Sequence, residues 1–303
     1  MIPSPRISLI LSLYNQKPLA PLIFNSIASQ RVSVPFEILI CDDGSSDGFL
    51  DFLQRFTADT PLNVRYIWQP DIGFRLSRSR NNAIRCAQGD LLVFTDFDQW
   101  LAPEFLEDHW KAHDRPRKFV CGFRQEVDLS TNPEGDWKEL LQSALDKPPT
   151  HEIKGHMSWI HSARPWMACT GGNFSVPNGK EISFDERFEG WGSEDKDLAI
   201  RLYRMGYETN LLPRVNAVHV AKRTAQKIWT ESEILASLKG KALLLAKYPG
   251  GEMQDSLDLV RLCHLDASSD RWSAGPPRAE SPVDILAQFS AWCDRKGCPL
   301  QFT

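Results

Sequence analysis

Asp96 and Asp98, which flank Phe97, are the residues whose types and spacing most directly indicate chemistry. They follow the apolar run from Leu91 to Thr95, which is typical of a buried strand. Carboxylates two residues apart supply oxygen ligands for a hard divalent cation, and such a cation can bridge to diphosphate oxygens. A bound cation would neutralise the charge that develops on a departing diphosphate. Because short patterns of this kind are common by chance, the interpretation depends on neighbouring motifs.

Two further carboxylates, Asp42 and Asp43, follow the strand-like run from Phe36 to Cys41. They can accept hydrogen bonds from a base or a ribose, and Gly44 permits a sharp turn of the backbone. The alternative is a plain turn in which an aspartate caps the next helix. Tyr14, at the end of the preceding predicted strand, favours the first interpretation because its ring could stack on a base.

A basic segment between these clusters runs from Arg75 to Asn82 and includes Arg80. Guanidinium groups could lie beside phosphates, since their bidentate geometry suits phosphate better than a lysine does. The alternative is the solvated basic face of a helix, and the segment taken alone is more typical of that.

A third acidic cluster, Glu194 and Asp195, begins a predicted helix. Acids in the first turn of a helix ordinarily compensate its dipole. That explanation does not account for Trp191, which stands between Gly190 and Gly192. Its indole would form a flat wall against a sugar ring, with an acid beside it to take a hydroxyl proton.

Two further segments could contribute to the same site. The segment from Thr170 to Phe174 contains two glycines, so its backbone can approach a ligand closely. His219 follows the strand-like run from Arg214 to Val218 and is a candidate metal ligand. Because a lone histidine is more often structural, this prediction depends on the acidic clusters.

The clusters need a scaffold that brings them together, and the first half of the chain alternates strand and helix signals. Strands are predicted at 7–13, 36–41, 64–68 and 91–95, with helices between them. This alternation predicts an α/β fold with a mostly parallel sheet flanked by helices. Ligands bind at the carboxyl ends of the strands in such sheets, so the clusters are expected to share one crevice.

The second half is predicted to be less regular. A plausible strand at 119–123 precedes a polar, proline-interrupted excursion at 130–165, of the kind that forms lids or binding loops. From residue 225 the apolar spacing is helical only, and a last helix is capped by Ser281 and Pro282 and ended by Gly297. We therefore predict a domain of residues 1–224 and a helical extension of residues 225–303.

Composition argues against several classes of protein. The net charge of −4 over 303 residues gives no support for nucleic-acid binding. No apolar run approaches the roughly 20 residues that span a bilayer, and the N-terminus does not resemble a secretory signal. A cytoplasmic protein is the default expectation. The seven cysteines are expected to be free thiols, because a zinc site at Cys263, His264, Cys293 and Cys298 lacks the usual paired spacing.

Taken in order, these motifs resemble the inverting family-two glycosyltransferases of the GT-A fold. The matching segments are Ile7 to Asn15, Asp42 to Asp47, Arg80-Asn81, Asp96 to Asp98, and Glu194-Asp195 after Gly190 to Gly192. The last segment is also similar to the galactosyltransferase motif of β-1,4-galactosyltransferases and bacterial chondroitin-type polymerases. The resemblance covers about residues 5–223 and implies a nucleotide-binding part at about 1–100 and an acceptor-binding part at about 101–224.

The resemblance also implies roles for individual residues. The nucleotide-sugar donor, commonly UDP-linked, would be bound by Leu13, Tyr14, Asn15, Asp42, Asp43, Arg75, Arg80, Asp96 and Phe97. Mn²⁺ or Mg²⁺ would be held by Asp98, with His219 and Asp96. The glycan or other hydroxyl-bearing acceptor would lie against Gly171, Gly172, Asn173, Trp191, Gly192 and Glu194. Asp195, beside Glu194, would be the catalytic base, and in-line attack would invert the anomeric carbon.

Two departures from the family pattern leave the donor open: the usual proline is replaced around Leu11 to Leu13, and Gln99 stands where many relatives have another acid. A catalytically silent module that binds a nucleotide sugar or glycan is one competing interpretation. A nucleotidyltransferase is another, although Tyr14 to Pro18 is not the glycine-rich basic loop that such enzymes carry. The extension could pack on the domain, form a dimer contact, or lie at a membrane surface that presents a lipid-linked acceptor. Packing is favoured.

Overall fold

Apolar strands alternate with amphipathic helices through the first hundred residues, as the sequence predicts. The computed structural model describes residues 4–58, 60–129, 137–147, 158–221 and 230–301. Its first seven elements are β1 (Ile7–Leu13), α1 (Ala20–Ala28), β2 (Phe36–Asp42), α2 (Phe49–Ala58), β3 (Val64–Trp68), α3 (Leu76–Cys86) and β4 (Leu91–Asp96).

The middle of the chain adds antiparallel strands and further helices to this unit. In order these are β5 (Gln99–Leu101), α4 (Phe105–Ala112), β6 (Lys118–Asp128), α5 (Trp137–Leu145), β7 (Asn173–Pro177), α6 (Glu194–Arg204) and β8 (Glu208–Ala221). The remaining elements are α7 (Glu231–Lys247), β9 (Cys263–Asp266), β10 (Arg271–Ala274) and α8 (Pro282–Arg295). Helix α5 lies within the predicted excursion at 130–165; the rest of that prediction at 130–136 and 148–157 lies outside the described residues.

Eight of the described strands form one sheet in the order β3-β2-β1-β4-β7-β6-β8-β5. The first four strands are parallel, and β7 runs antiparallel to both of its neighbours. The register pairs Ser12 with Asp96 and Leu13 with Asp42, so the carboxyl ends of β1, β2 and β4 meet at one edge. The mostly parallel α/β sheet that the sequence predicts is therefore present.

Hydrophobic clusters cover both faces of the sheet. Alternate residues of β1 point to opposite sides, so Leu9 packs with Phe24 of α1, whereas Ile10 packs with Ala83 of α3 and Leu198 of α6. Full burial of one such aliphatic side chain contributes roughly 1.5–3 kcal/mol. Packing on both faces thus fixes the edge from which the acidic clusters emerge.

The C-terminal extension is not purely helical, which corrects the prediction for residues 225–303. Strands β9 and β10 form an antiparallel hairpin between its two helices, because Trp272 of β10 is buried against Phe289 of α8. Helix α8 begins after Ser281, as predicted, and the Ser281 hydroxyl accepts a hydrogen bond from the Asp284 amide. No helix among the described residues is long and apolar enough to cross a membrane.

Helix α7 joins the extension to the sheet. It begins with a capping box formed by Thr230 and Glu233. Leu244 belongs to the cluster on the α3 and α6 face of the sheet, whereas Leu238 belongs to the cluster of the extension. The extension therefore packs on the sheet, which is the favoured one of its three predicted roles.

Candidate active site

A cavity of about 850 Å³ opens at the carboxyl ends of β1 and β4 and is bounded by the start of α6 and by α7. Eleven of the residues predicted for the site line it, namely Leu13, Tyr14, Asp43, Arg80, Asp96, Asp98, Gly171, Trp191, Gly192, Glu194 and Asp195. Residues from all five of the matching motifs, together with Gly171, therefore share one crevice.

Arg80 lies at the base of the cavity and is only 1% exposed. Its guanidinium donates to the Ser12 hydroxyl at 3.0 Å, to Asp96 Oδ1 at 3.0 Å and to Glu194 Oε1 at 3.2 Å. Burial by itself would lower the pKa of Arg80, but the carboxylates of Asp96 and Glu194 raise it. Arg80 thus anchors two of the predicted acids, and these contacts engage all three of its guanidinium nitrogens.

The two acids beside Arg80 differ from Asp195 in their surroundings. Burial raises the pKa of Asp96 against the opposing charge of Arg80. Burial and the neighbouring charge of Asp195 raise the pKa of Glu194 to about 7. Asp195 is only partly buried, and its Oδ1 accepts a hydrogen bond from the Lys196 amide at 2.8 Å. Both acids that begin α6 line the cavity, but Asp195 is the more exposed of the two and is not paired with Arg80.

Asp98 and His219 meet because β5 pairs with β8. The register places Gln99 opposite His219, and the Val220 amide donates to the Asp98 carbonyl at 2.8 Å. His219 Nε2 lies 3.2 Å from Asp98 Oδ2. His219 does not line the cavity itself but stands behind Asp98.

These two side chains fit a divalent cation. His219 Nε2 faces Asp98 Oδ2, and Asp98 Oδ1 is buried without a hydrogen-bond partner. The other ring nitrogen, Nδ1, lies on the side of Glu126, 3.9 Å from its Oε1. A carboxylate oxygen and an imidazole nitrogen suit Mn²⁺, which accepts both ligand types. Among the described residues no group of three or more His, Cys, Asp or Glu side chains could form a complete cage, so diphosphate oxygens and water would supply the other ligands. Asp96 Oδ1 is already bonded to Arg80.

The opposite end of the cavity carries Asp43 and Tyr14. Asp43 accepts hydrogen bonds from Gln69 Nε2 at 2.5 Å and from the Arg75 amide at 2.6 Å, and burial raises its pKa. Tyr14 is 46% exposed, and its hydroxyl donates to Asp71 Oδ2 at 3.0 Å. An exposed ring beside a buried acid suits a nucleoside, through stacking and hydrogen bonding respectively.

Three predicted donor-site residues stand behind this end of the cavity without lining it. The carboxylate of Asp42 accepts from the Ser45 amide at 2.7 Å and from the Tyr66 hydroxyl. Asn15 Oδ1 accepts from the Ser46 amide, and the Arg75 guanidinium donates to a backbone carbonyl at residue 70. In this conformation all three side chains hold loops together.

The side chains of Phe97 and Asn173, which were predicted for the donor and acceptor sites, point into the core and do not line the cavity. Phe97 is fully buried and packs edge-on against Phe49 at 5.1 Å between ring centroids. Asn173 Nδ2 donates to the Asn216 Oδ1 at 3.0 Å, and its Oδ1 lies 3.0 Å from His109 Nε2. Each belongs to a motif in which other residues line the cavity. Membership of a motif therefore does not show whether a side chain points into the cavity or into the core.

Gly172 lies beneath the acidic cluster and supports it through its backbone. Its φ is +83°, and a Cβ built there would lie 2.8 Å from Asp96 Cγ and 2.6 Å from Gln99 Nε2. We expect Gly172→Ala to lower the free energy of unfolding by about 1–2 kcal/mol through the left-handed backbone, with about 1–3 kcal/mol more from the clash. Urea unfolding measures the sum.

The matched control for this prediction is Gly73→Ala, because Gly73 has a φ of +81° and no atom within 4 Å of a built Cβ. It should show only the backbone contribution. Equal losses in the two variants would contradict the close approach at Asp96.

Several lining residues lie outside every motif of the sequence analysis. Arg124 of β6 donates to the Gly171 carbonyl at 2.8 Å. Ser237 and Lys241 of α7, with Ser256 beyond it, complete the wall next to Asp195. The helical spacing of α7 predicts a helix, but it gives no sign that a lysine on its buried side faces a cavity.

The sequence was also compared with families of known proteins. Residues 8–162 match the profile described as glycosyl transferase family 2, and residues 157–224 match the one described as the N-terminal domain of galactosyltransferase. The first match spans more than half of the chain. The chain belongs to glycosyl transferase family 2. The enzyme class predicted from the sequence, a glycosyltransferase, is thereby confirmed at the level of the family.

Relatives of this family-2 chain include proteins named as a glucosyltransferase and as a chondroitin synthase. It is 28% identical over 226 residues to validoxylamine A glucosyltransferase of Streptomyces hygroscopicus subsp. jinggangensis, covering 67% of this chain and 52% of that protein. It is 26% identical over 224 residues to the chondroitin synthase of Pasteurella multocida, covering 66% of this chain and 23% of that protein. The chain thus spans at most about half the length of these relatives.

Solved structures share the fold of this chain. S. aureus TarS 1-349 in complex with UDP-GlcNAc has a TM-score of 0.58 at 17% identity, covering 84% of this chain and 72% of that one. The mannosyltransferase PcManGT from Pyrobaculum calidifontis, in complex with GDP-Man and Mn²⁺, has a TM-score of 0.57 at 19% identity, covering 97% and 76%. The predicted GT-A fold is confirmed.

Proposed function

We propose that the cavity transfers a sugar from a nucleotide-sugar donor, UDP-linked, to a hydroxyl of a glycan or glycan-like acceptor, with inversion at the anomeric carbon. The observation that carries this proposal is the separation of roles among the acids. Arg80 engages Asp96 and Glu194, whereas Asp195 remains open to the cavity and Asp98 keeps a free oxygen beside His219.

The donor is proposed to extend from Tyr14 and Asp43 to Asp98. The ring of Tyr14 would stack on the base, and Asp43 would accept a hydrogen bond from the nucleoside. TarS binds UDP-GlcNAc and PcManGT binds GDP-Man, and both have this fold, which supports a nucleotide-sugar donor. The UDP preference rests on the resemblance of the opening motif and of Asp42-Asp43 to the family pattern.

A divalent cation, Mn²⁺ or Mg²⁺, would be held by Asp98 and His219 with Asp96 behind them, and when bound it would offset the charge of the departing diphosphate. The Mn²⁺ in PcManGT supports this assignment. Arg80 keeps Asp96 in place, and the Gly172 backbone leaves room for it. Mg²⁺ sites of this type combine one or two carboxylates with substrate phosphates, which agrees with the free Oδ1 of Asp98.

Asp195 is proposed to act as the base. It takes the proton of the acceptor hydroxyl while that oxygen forms a bond to C1 of the donor sugar. The bond from C1 to the diphosphate breaks, and its electron pair leaves with the nucleoside diphosphate. Attack opposite the leaving group inverts C1. Trp191, 48% exposed beside Asp195 at the cavity, would form the wall against which the acceptor ring lies.

We further propose that residues 1–224 form the transferase domain, with a nucleotide-binding part at about 1–100 and an acceptor-binding part at about 101–224. The cavity position of Asp43 and Asp98 supports the first part, and that of Gly171 and Asp195 supports the second. The extension at 225–303 adds Lys241 and two serines to the same cavity.

A thermal-shift experiment with UDP-glucose, UDP-N-acetylglucosamine and GDP-mannose, each with and without Mn²⁺, tests the donor and the metal together. Free ligand at 100 times its Kd stabilises the native state by about 2.7 kcal/mol. We expect a rise in Tm that requires Mn²⁺ for a UDP-sugar and that EDTA abolishes. Asp98→Asn should lose the Mn²⁺-dependent part of the rise.

Asp51→Asn is the matched control, because Asp51 is exposed on α2 and remote from the cavity. An equal Mn²⁺-dependent rise in Asp98→Asn would contradict the proposed metal ligand. Binding of a UDP-sugar with no turnover across a broad acceptor panel would favour a silent binding module. Release of pyrophosphate instead of a nucleoside diphosphate would identify a nucleotidyltransferase.

A further inference from the structure

Helix α7 forms part of the cavity wall although it lies beyond both segments that match known families. It packs closely on the loop that carries Trp191. A Cβ built at Gly240 would lie 3.2 Å from the Gly192 carbonyl oxygen, and one built at Gly190 would lie 3.1 Å from Ala236 Cα. Because these glycines admit such close contact, the next residue, Lys241, reaches the cavity on the side of Asp195.

Lys241 is the unusual residue of this wall. It is only 7% exposed, it lines the cavity, and its side chain has no hydrogen bond or ion pair with the described residues. Two other lysines, one that also lines the cavity and one on the same helix, both have hydrogen-bond partners. Lys196 donates to the carbonyl of Met167 at 2.8 Å, and Lys247, on the same helix, donates to Asp185 at 2.7 Å.

The energetics of Lys241 favour an anionic partner. A buried ammonium group is costly unless it is paired and hydrogen-bonded, and burial lowers the pKa of Lys241. The charges of Asp195 and Glu194 act on it from a distance, but neither carboxylate is within ion-pair range of it. Glu194 is already paired with Arg80. An anion in the cavity would supply the missing partner.

The charges that act on Lys241 are not those of the proposed metal and diphosphate site. They are the charges of Asp195, Lys196 and Glu194, and those of Asp96, Asp98 and His219 are not among them. Asp195 is the proposed acceptor base, so a group bound at Lys241 belongs to the acceptor. Ser237, also buried and lining the cavity, offers a hydroxyl from the preceding turn of the same helix.

We propose that Lys241 and Ser237 form a subsite for an anionic group of the acceptor, a carboxylate or a phosphate, and so select a charged acceptor for the transfer. The inference rests on the proposed function, because it assigns the acceptor side of the same cavity. It adds a specificity-determining residue that lies beyond both segments that match known families.

The test compares three matched sugars as probes: glucose, glucuronate and glucose 6-phosphate. Their binding is measured by calorimetry with saturating UDP and Mn²⁺, which occupy the donor side. We expect the wild-type protein to bind at least one charged sugar at least about ten times more tightly than glucose. Which of the two is preferred distinguishes a carboxylate subsite from a phosphate subsite. Lys241→Met should abolish the preference, and Lys241→Arg should keep most of it.

Lys239→Met is the matched control, because Lys239 is exposed two residues away on the same helix. It should keep the wild-type preference. Thermal unfolding of each variant verifies that it is folded, and Lys241→Arg provides the second readout if Lys241→Met is not. The absence of any preference for a charged sugar, or a preference that survives in Lys241→Met, would overturn the proposal. The UDP titration in the same experiment reports separately on the proposed donor site.

Discussion

The Asp195→Asn variant is expected to bind the nucleotide sugar as the wild-type protein does and to lose transfer by a factor of about 10²–10⁴, the usual contribution of a positioned acid or base. Asparagine preserves the size of the side chain and can still accept a hydrogen bond from the Lys196 amide. It cannot take the acceptor proton. The loss should therefore appear in kcat, with the donor Kd unchanged.

Steady-state kinetics with a UDP-sugar, together with calorimetric donor binding, measure this effect. Asp51→Asn provides the control, since the same substitution on the exposed side of α2 should leave both quantities unchanged. If Asp195→Asn kept near-full turnover, Asp195 would not be the base. A loss of turnover in Glu194→Gln would not identify Glu194 as the base instead, because Glu194 also holds Arg80 in place.

The second large effect is expected on stability. Arg80→Met removes the only cation paired with Asp96 and Glu194 among the described residues, and leaves the buried Glu194 and the partly exposed Asp96 uncompensated. Breaking a buried ion pair by removing one partner costs about 3–5 kcal/mol. We expect a loss of this size in the free energy of unfolding from urea titration.

Arg78→Met is the matched control, because Arg78 is exposed on the same helix, α3. It should change stability by about 0.5 kcal/mol or less. Adding Glu194→Gln to Arg80→Met should recover part of the loss, since one uncompensated acid is removed. A loss in Arg80→Met no larger than that in Arg78→Met would show that Arg80 does not balance these acids.

The sequence predicts much of the fold because its periodic features are local. The strand at 91–95 and the helix beginning at Glu194 appear within a residue or two of their predicted bounds. The predicted α/β sheet follows from such runs. The hairpin at β9 and β10 was missed because its strands are four residues each, too short for an alternating pattern to be distinguished from part of a helix.

The sequence predicts a site residue only where a chemically suitable side chain stands within a recognisable motif. Asp98 and His219 lie 121 residues apart and meet through the β5–β8 register, which no local pattern reveals. Phe97 shares a motif with two cavity residues but points into the core, because the turn after β4 directs it between α1 and α2. Lys241 is the opposite case, because it belongs to no motif and yet lines the cavity. Its sequence context is that of an ordinary helix, and the close packing at Gly240 brings it there.

The packing of α7 also has a consequence for building hybrid enzymes. Leu243 and Leu244 complete the apolar cover of the sheet, and the Tyr248 hydroxyl donates to the buried Asp197 at 2.8 Å. A chimera joined near residue 224, where the family match ends, would give the proposed transferase domain a foreign wall on the proposed acceptor side. It would also replace part of the apolar cover of the sheet. Successful recombination of such enzymes would therefore place the crossover upstream of α6 or beyond Tyr248, so that α6 and α7 are inherited as one unit.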